Sequence, residues 1–388
     1  MKRTYNTLID NGLFVLAYHL EKDIEDITKE DVFNSSDMMA EKIFEMLNCE
    51  KYANMKSMRF PNSALINPAF KSDRLGIFKQ HMDEFKNEGT DTCIICGEKH
   101  ANIELDIRGR SYFPNIVGDN FVNFGNNHKG VNICPTCLLL SIYSVMNTRV
   151  NGTLYLFNSN DDDFMMEYTY KRQDEVIQDI INKAEKEKKT ETAIDVLIDL
   201  VENSKIYEEY IEIYRFNNDN KSDRINDSEN VYKKQVQLIN KMQNKNLLSE
   251  FRMLGLSRLL LDNNMKNFLN RIYDFNKGCM RDIEVSKKET KQCSKELFDF
   301  MKGEILDMDK GILSLIEKVG SELTKKDNIR SIIGDLKTIS NINQFKDFLM
   351  ENIEDSNGES ILTKDEYLLM TNRFKWKDIK NLLLIEIL

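Results

Sequence analysis

Two pairs of cysteines, Cys93-Ile94-Ile95-Cys96 and Cys134-Pro135-Thr136-Cys137, constrain this chain more than any other feature. Each C-x-x-C turn can hold two thiolates about 2.3 Å from one ion, and two such turns complete the tetrahedral set that Zn²⁺ takes in structural sites. A single pair could as well be a redox dithiol; the second pair points to metal. Gly97, directly after the second thiolate, supplies the backbone freedom such a turn uses. With Cys93, Cys96, Cys134 and Cys137 on one ion, the 37 residues between the pairs become an insertion stapled at its base. Four thiolates leave no open position for water, so the expected zinc is structural and not catalytic. Cys49, Cys279 and Cys293, the rest of the seven cysteines, read as buried thiols of a protein in a reducing, cytoplasmic setting.

Proline divides the chain. All four prolines, Pro61, Pro68, Pro114 and Pro135, lie in the first 135 residues. Because Pro costs about 3 kcal/mol inside a helix, the long Pro-free remainder, rich in Leu, Ile, Lys and Glu, is expected to be mostly helical. Ahead of it, Asp10 to Ala17 reads as a capped helix buried on several sides, and Thr28-Lys29-Glu30-Asp31 as a capping box opening a second helix. Tyr52 to Lys71 looks like a Ser, Asn and Pro loop, while Ile103 to Ile107 and Val150 to Phe157 look like strands. Asn158 to Asp163 is a polar break, Asn217 to Asn230 an Asn-rich mobile loop, and Thr363-Lys364-Asp365-Glu366 the cap of a final helix.

At 388 residues the chain exceeds what one core usually organises. The fold class expected is α+β: a zinc-stapled mixed N-terminal domain followed by a mostly α-helical C-terminal bundle. The divisions expected are an α+β domain over 1–160, a helical region with a basic stretch over 161–275, and a C-terminal bundle over 276–388. No leader and no apolar run of about 18 residues is evident in the sequence.

The net charge of -10 argues against a protein that coats nucleic acid on its own. Charge is nevertheless unevenly spread. Residues 231–281 hold ten Lys and Arg against three acids, a local +7 in an acidic chain. Here Lys233, Lys234, Lys241, Lys245, Arg252 and Arg258 lack the acidic neighbours that a solvated helix face normally carries, so phosphate contact is expected of them. A second candidate surface is Lys56, Arg59, Asn62 and Asn67 in the 52–71 loop, where amides could read base edges. A third is Arg108, Arg110 and Lys129 in the stapled insertion. Phe113, Phe121 and Phe124 read as a small core over the metal, and Trp376 as core. A zinc-dependent nuclease or other defence enzyme is an alternative; His100 and His128 raise the nuclease, although no Asp-His or His-His pair stands where a ββα-metal centre needs one.

Several of these motifs occur together in a known family. Ile9-Asp10-Asn11-Gly12-Leu13, then C-x-x-C-G, an aromatic and Asn-rich insertion, C-P-x-C, and Gly152-Thr153-Leu154-Tyr155-Leu156-Phe157 before a helical half resemble the CXXC-CXXC proteins of CRISPR loci, the large subunits of type I-B Cascade. The likeness covers residues 8 to about 165. It implies a non-enzymatic subunit that binds CRISPR RNA and target DNA, recognises the protospacer-adjacent motif, helps form the R-loop, and lays a helical bundle along the displaced strand. The partners it implies are the backbone, Cas5-type and small subunits and a helicase-nuclease effector. No Walker loop, dinucleotide-binding glycine turn or nucleophile elbow is present. A scaffold for protein interaction, stabilised by zinc, is the remaining alternative.

Overall fold

A computed structural model describes residues 1–61, 63–101, 112–113, 122–123, 128–129, 132–185, 192–202, 210–217, 226–253, 295–300, 303–304, 308–354 and 358–387. They form helices and a small antiparallel sheet, the α+β class expected, and divide into two compact units, Met1–Val236 and Gln237–Leu388.

The first unit is built around α1 (Thr7–Leu20), whose residues from Thr7 to Ala17 are all buried. Its cap lies one turn ahead of the expected start: the Asn6 side chain accepts the Leu8 and Ile9 amides at 3.1 and 3.3 Å. Asp10, fully buried, instead receives the Thr4 amide at 2.9 Å, the Tyr5 amide at 3.1 Å and the Arg3 guanidinium at 3.0 Å. A buried carboxylate needs such partners, and here they tie the leading segment down. Helices α2 (Lys29–Asn34), α3 (Ser36–Asn48), α4 (Ala53–Arg59) and α5 (Arg74–Glu84) follow, and the Thr28–Asp31 capping box of α2 is formed in both directions.

Strands β1 (Val122–Asn123) and β2 (His128–Lys129) pair with each other. Helix α6 (Pro135–Tyr143), buried throughout, lies across α1. Gly12 makes that approach possible, since a Cβ there would sit 1.8 Å from the Leu140 carbonyl oxygen.

Strands β3 (Arg149–Asn151) and β4 (Thr153–Ser159) form a hairpin at Gly152, which has φ +71°. Helix α7 (Asp162–Ile181) and α8 (Ala193–Glu202) precede β5 (Ile211–Phe216) and β6 (Asn226–Val231), giving the antiparallel order β3-β4-β5-β6. The sheet therefore runs across the boundary expected at residue 160. The 158–163 break covers the end of β4 and the start of α7, with Asp161 between them capping α7 by accepting the Phe164 amide at 3.0 Å.

Part of the expected 217–230 loop is strand: β6 pairs with β5 from Phe216↔Asn226 to Ile211↔Val231. Apart from the buried Val231 its residues are polar, as suits a sheet edge, and it is held by backbone pairing and by an Arg215–Glu229 ion pair. A polar network closes the centre of this unit. Asn11 donates to the Phe157 carbonyl at 2.8 Å, Asn147 donates to Asn11 at 3.1 Å and Thr169 at 2.8 Å, and Gln173 donates to Asn147 at 3.0 Å.

The described part of the second unit is helical apart from a bridge between Glu354 and Ser360. Helix α9 (Lys233–Asn244) crosses the division between the units, and α10 (Leu248–Met253), α11 (Lys295–Phe300), α12 (Lys310–Thr324), α13 (Ile329–Thr338), α14 (Ile342–Asn352), α15 (Lys364–Met370) and α16 (Trp376–Glu386) follow. The core joins Ile316, Val319 and Leu323 of α12 to Ile379, Leu382 and Leu383 of α16, all buried. The Thr363–Glu366 capping box of α15 is present as read from the sequence. Trp376 is core, 6.1 Å from the Phe345 ring.

Candidate metal centre and nucleic-acid residues

The first cysteine pair sits in a tight hairpin. Asp91 and Ala101 form an antiparallel bridge, the Cys93 amide donates to the Glu98 carbonyl at 2.8 Å, and the Gly97 amide donates back to Cys93 at 2.9 Å. Gly97 has φ +78°, a conformation that strains any residue with a Cβ. The second pair begins α6: Cys134 is its N-cap, Pro135 opens its first turn, and the Cys134 sulfur accepts the Cys137 amide at 3.4 Å. Pro suits that position because its missing N–H would have had no partner within the helix. The Ile94 amide donates to the Asn132 carbonyl at 3.0 Å and joins the two turns.

These turns bring all four sulfurs within 4.8 Å of one another, with Cys96 and Cys134 at 3.6 Å. None forms a disulfide, which would need about 2.05 Å. Four sulfurs about 2.3 Å from one Zn²⁺ would lie about 3.8 Å apart, so the spacing matches one tetrahedral ion. Cys93, Cys134 and Cys137 are buried and Cys96 is half-buried.

Crowding pulls the proton affinities of the thiols apart. Hydrogen bonds from Cys134 and Cys137 hold Cys93 far below the ordinary thiol range, and a bond from Cys137 holds Cys96 at about 7. Cys137, bonded to Cys134, Cys93 and Cys96, is pushed far above that range. Ionising all four in so small a space requires a cation among them, and the onset of α6 adds the positive end of a helix dipole. The residues present fit a metal ion held by four thiolates. Beside them lies a cavity of about 670 Å³, bordered by Cys96, Cys134 and Cys137 and by Ile9, Leu13, Ile95, His100 and Leu140.

Of the nucleic-acid candidates, Arg59 is buried and the lysines of α9 are exposed. Of the described residues in 52–71, Ala53–Arg59 form α4, Phe60, Pro61 and Ser63 to Leu65 are buried, and Pro68–Phe70 form a short turn. Arg59, fully buried, donates to the Tyr112 carbonyl at 2.6 Å, to the Ser141 carbonyl, and to Ser141 Oγ at 3.2 Å. Burial lowers its pKa to about 9. Its guanidinium is thus a strut inside the first unit, out of reach of a phosphate, and the expectation for this residue is corrected. Tyr52 and Ser63 are likewise buried, and the Tyr52 hydroxyl donates to Asp179. Lys56 is half-buried and donates to Asn48, while Asn67 is half-buried and accepts the Ala69 amide at 3.0 Å to cap a short turn.

Asn62, Arg108, Arg110 and Arg258 lie outside the described residues, as do Phe121, Phe124, Cys279 and Cys293. Lys129 is placed in β2 opposite Val122. Phe113 is buried as expected. His100 is half-buried and faces Glu88 at 3.5 Å.

On α9, Lys233, Lys234 and Lys241 are exposed, as is Lys245 just beyond it; Arg252 is half-buried. Lys241 pairs with Glu304 at 2.6 Å, and Lys245 stands over the Phe300 ring at 5.2 Å.

No protein-family model, curated protein or solved structure matches the chain. No helix among the described residues is long and apolar enough to cross a membrane.

Two features with structural consequence were missed from the sequence. Tyr112 receives Arg59 on its carbonyl and stacks with Phe78 at 5.9 Å, and its hydroxyl meets His81 Nδ1 at 2.8 Å. Phe374 is the most exposed of the large apolar side chains among the described residues. Its signal was available: an aromatic between two cations, Arg373 and Lys375.

Proposed function

We propose that this chain is a non-enzymatic, zinc-stapled subunit that engages nucleic acid, namely the large subunit of a type I-B CRISPR surveillance complex. The observation that carries the reading is the four-thiol centre at the base of the 97–133 insertion, in a chain whose Ile9–Leu13, C-x-x-C-G, C-P-x-C and Gly152–Phe157 motifs resemble that family. In this role the zinc ties the 91–101 hairpin to the start of α6, while the exposed lysines of α9 meet phosphates. A closed set of four thiolates supplies no water for hydrolysis, which disfavours the nuclease alternative.

The interaction-scaffold reading draws on one observation: Lys241 already has an acidic partner, Glu304. An exposed pair of this kind contributes little and exchanges readily for a phosphate, so the lysine stays available.

The deciding experiment mixes the purified chain with guide RNA and the backbone subunits, and measures binding to duplexes with and without a protospacer-adjacent motif. Motif-dependent binding and R-loop formation are expected. Metal-dependent DNA cleavage by the chain alone would favour the nuclease, and failure to join the guide complex would favour the scaffold. Within a competent complex, replacing Lys233, Lys234, Lys241 and Lys245 by Gln should flatten the slope of log affinity against log salt by about 3 if all four touch phosphate.

A further inference from the structure

Between α15 and the first turn of α16 the chain makes a short, well-bonded turn, Asn372-Arg373-Phe374-Lys375, leading into Trp376-Lys377. The Asn372 side chain accepts the Phe374 amide at 2.9 Å, and its carbonyl accepts the Lys375 and Trp376 amides at 3.2 and 2.9 Å. Trp376 anchors one side in the core at 8% exposure, while Phe374, two residues earlier, is 90% exposed. Burying a Phe ring is among the larger stabilising contributions a single side chain makes, and the fold forgoes it here although the turn is fixed. Arg373 and Lys377 are exposed on either side, and Lys375 is half-buried. Leu368 and Leu369 of α15 are also exposed.

We propose that this turn binds single-stranded nucleic acid, with Phe374 stacking on a base and Arg373 and Lys377 holding the flanking phosphates. An aromatic platform between cations supplies both contacts that sequence-tolerant single-strand binding uses. The alternative of an anionic membrane fits less well. An interfacial helix needs an apolar face of its own, and Ile379, Leu382 and Leu383 of α16 are committed to the core. The inference shares a ligand class with the function proposed above but requires neither guide RNA nor partner subunits.

It is tested on the full chain alone, by fluorescence anisotropy with a labelled oligothymidylate at several salt concentrations. Phe374→Ala should weaken binding by about 5- to 150-fold, the range stacking of one base supports, and Phe374→Trp should restore it. Replacing both Arg373 and Lys377 by Gln should reduce the single-strand salt slope by about 1.4. Irradiation of the same strand carrying 5-iodouracil should crosslink to a peptide containing residue 374.

Failure of the parent chain to bind, equal binding by Phe374→Ala, or loss in Phe374→Trp matching that in Phe374→Ala would overturn the proposal. So would binding to phosphatidylserine vesicles that depends on Phe374 while oligonucleotide binding does not, or a dimer that Phe374→Ala dissociates. The outcomes separate from those of the assembly experiment: a chain that stacks the oligonucleotide but never joins a guide complex retains this inference and loses the other.

Discussion

Replacing Gly12 by Ala gives a sign test of how α1 and α6 meet. In an exposed helix the change would stabilise by about 1 kcal/mol, because Ala is the better helix former. At this position the new Cβ falls 1.8 Å from the Leu140 carbonyl oxygen, whereas ordinary contact begins near 3.4 Å. The two backbones would have to part by about 1.6 Å within a core that includes Leu13, Leu16 and Leu139, all buried. Overpacking costs about 1–3 kcal/mol, and a backbone carbonyl, unable to rotate away as a side chain can, puts this case at the upper end. The expected net loss is about 2 kcal/mol, equivalent to a melting temperature lower by about 4–8 °C for a unit of this size.

Urea unfolding followed by circular dichroism measures the loss. Amide exchange should localise it to Ile9–Ala17 and Leu138–Tyr143. Because α6 carries Cys134 and Cys137 on its first turn, zinc should also leave the variant faster when challenged by a chelator. A variant as stable as the parent, or about 1 kcal/mol more stable as propensity alone requires, would refute the close approach.

Purified protein is expected to hold one zinc per chain by elemental analysis, and Cys93→Ser with Cys134→Ser to lose it together with the protection of residues 91–101. Affinity for the ion should fall as pH is lowered, since the thiols must give up protons to bind. Arg59→Met should destabilise by about 2 kcal/mol or more in urea unfolding, because it leaves the Tyr112 and Ser141 carbonyls without that donor, yet should leave the salt slope of nucleic-acid binding unchanged. For Glu175, burial opposes the charge, but Arg172, Arg149 and Lys51 together bring its pKa down from 4.5 to about 2. A folded pKa below the unfolded one means stability that is complete above about pH 4.5 and is lost as pH falls toward 2. Glu175→Gln should flatten the stability-against-pH curve in that window.

The parts that were legible in the sequence are those whose physics is local. A C-x-x-C turn places two sulfurs by itself, and a capping box such as Thr28–Asp31 or Thr363–Glu366 joins residues three apart, so both could be read from spacing alone. Proline's absence predicted helices because its effect acts within one turn. Arg59 shows where that reasoning stops. Among Ser, Asn and Pro neighbours it looks like a surface cation, but its acceptors at Tyr112 and Ser141 lie 53 and 82 residues away, and only the folded chain brings them into hydrogen-bonding reach. Gly12 is similar, for nothing near it in sequence announces Leu140. Strand β6 failed for the opposite reason: an edge strand paired on one side needs no apolar alternation, so Asn-Asp-Ser-Glu-Asn-Val carried no pattern to detect. Long-range burial can thus turn a residue that reads as a ligand contact into a piece of the core. Among the described residues, exposed cations remain on α9 and beside Phe374.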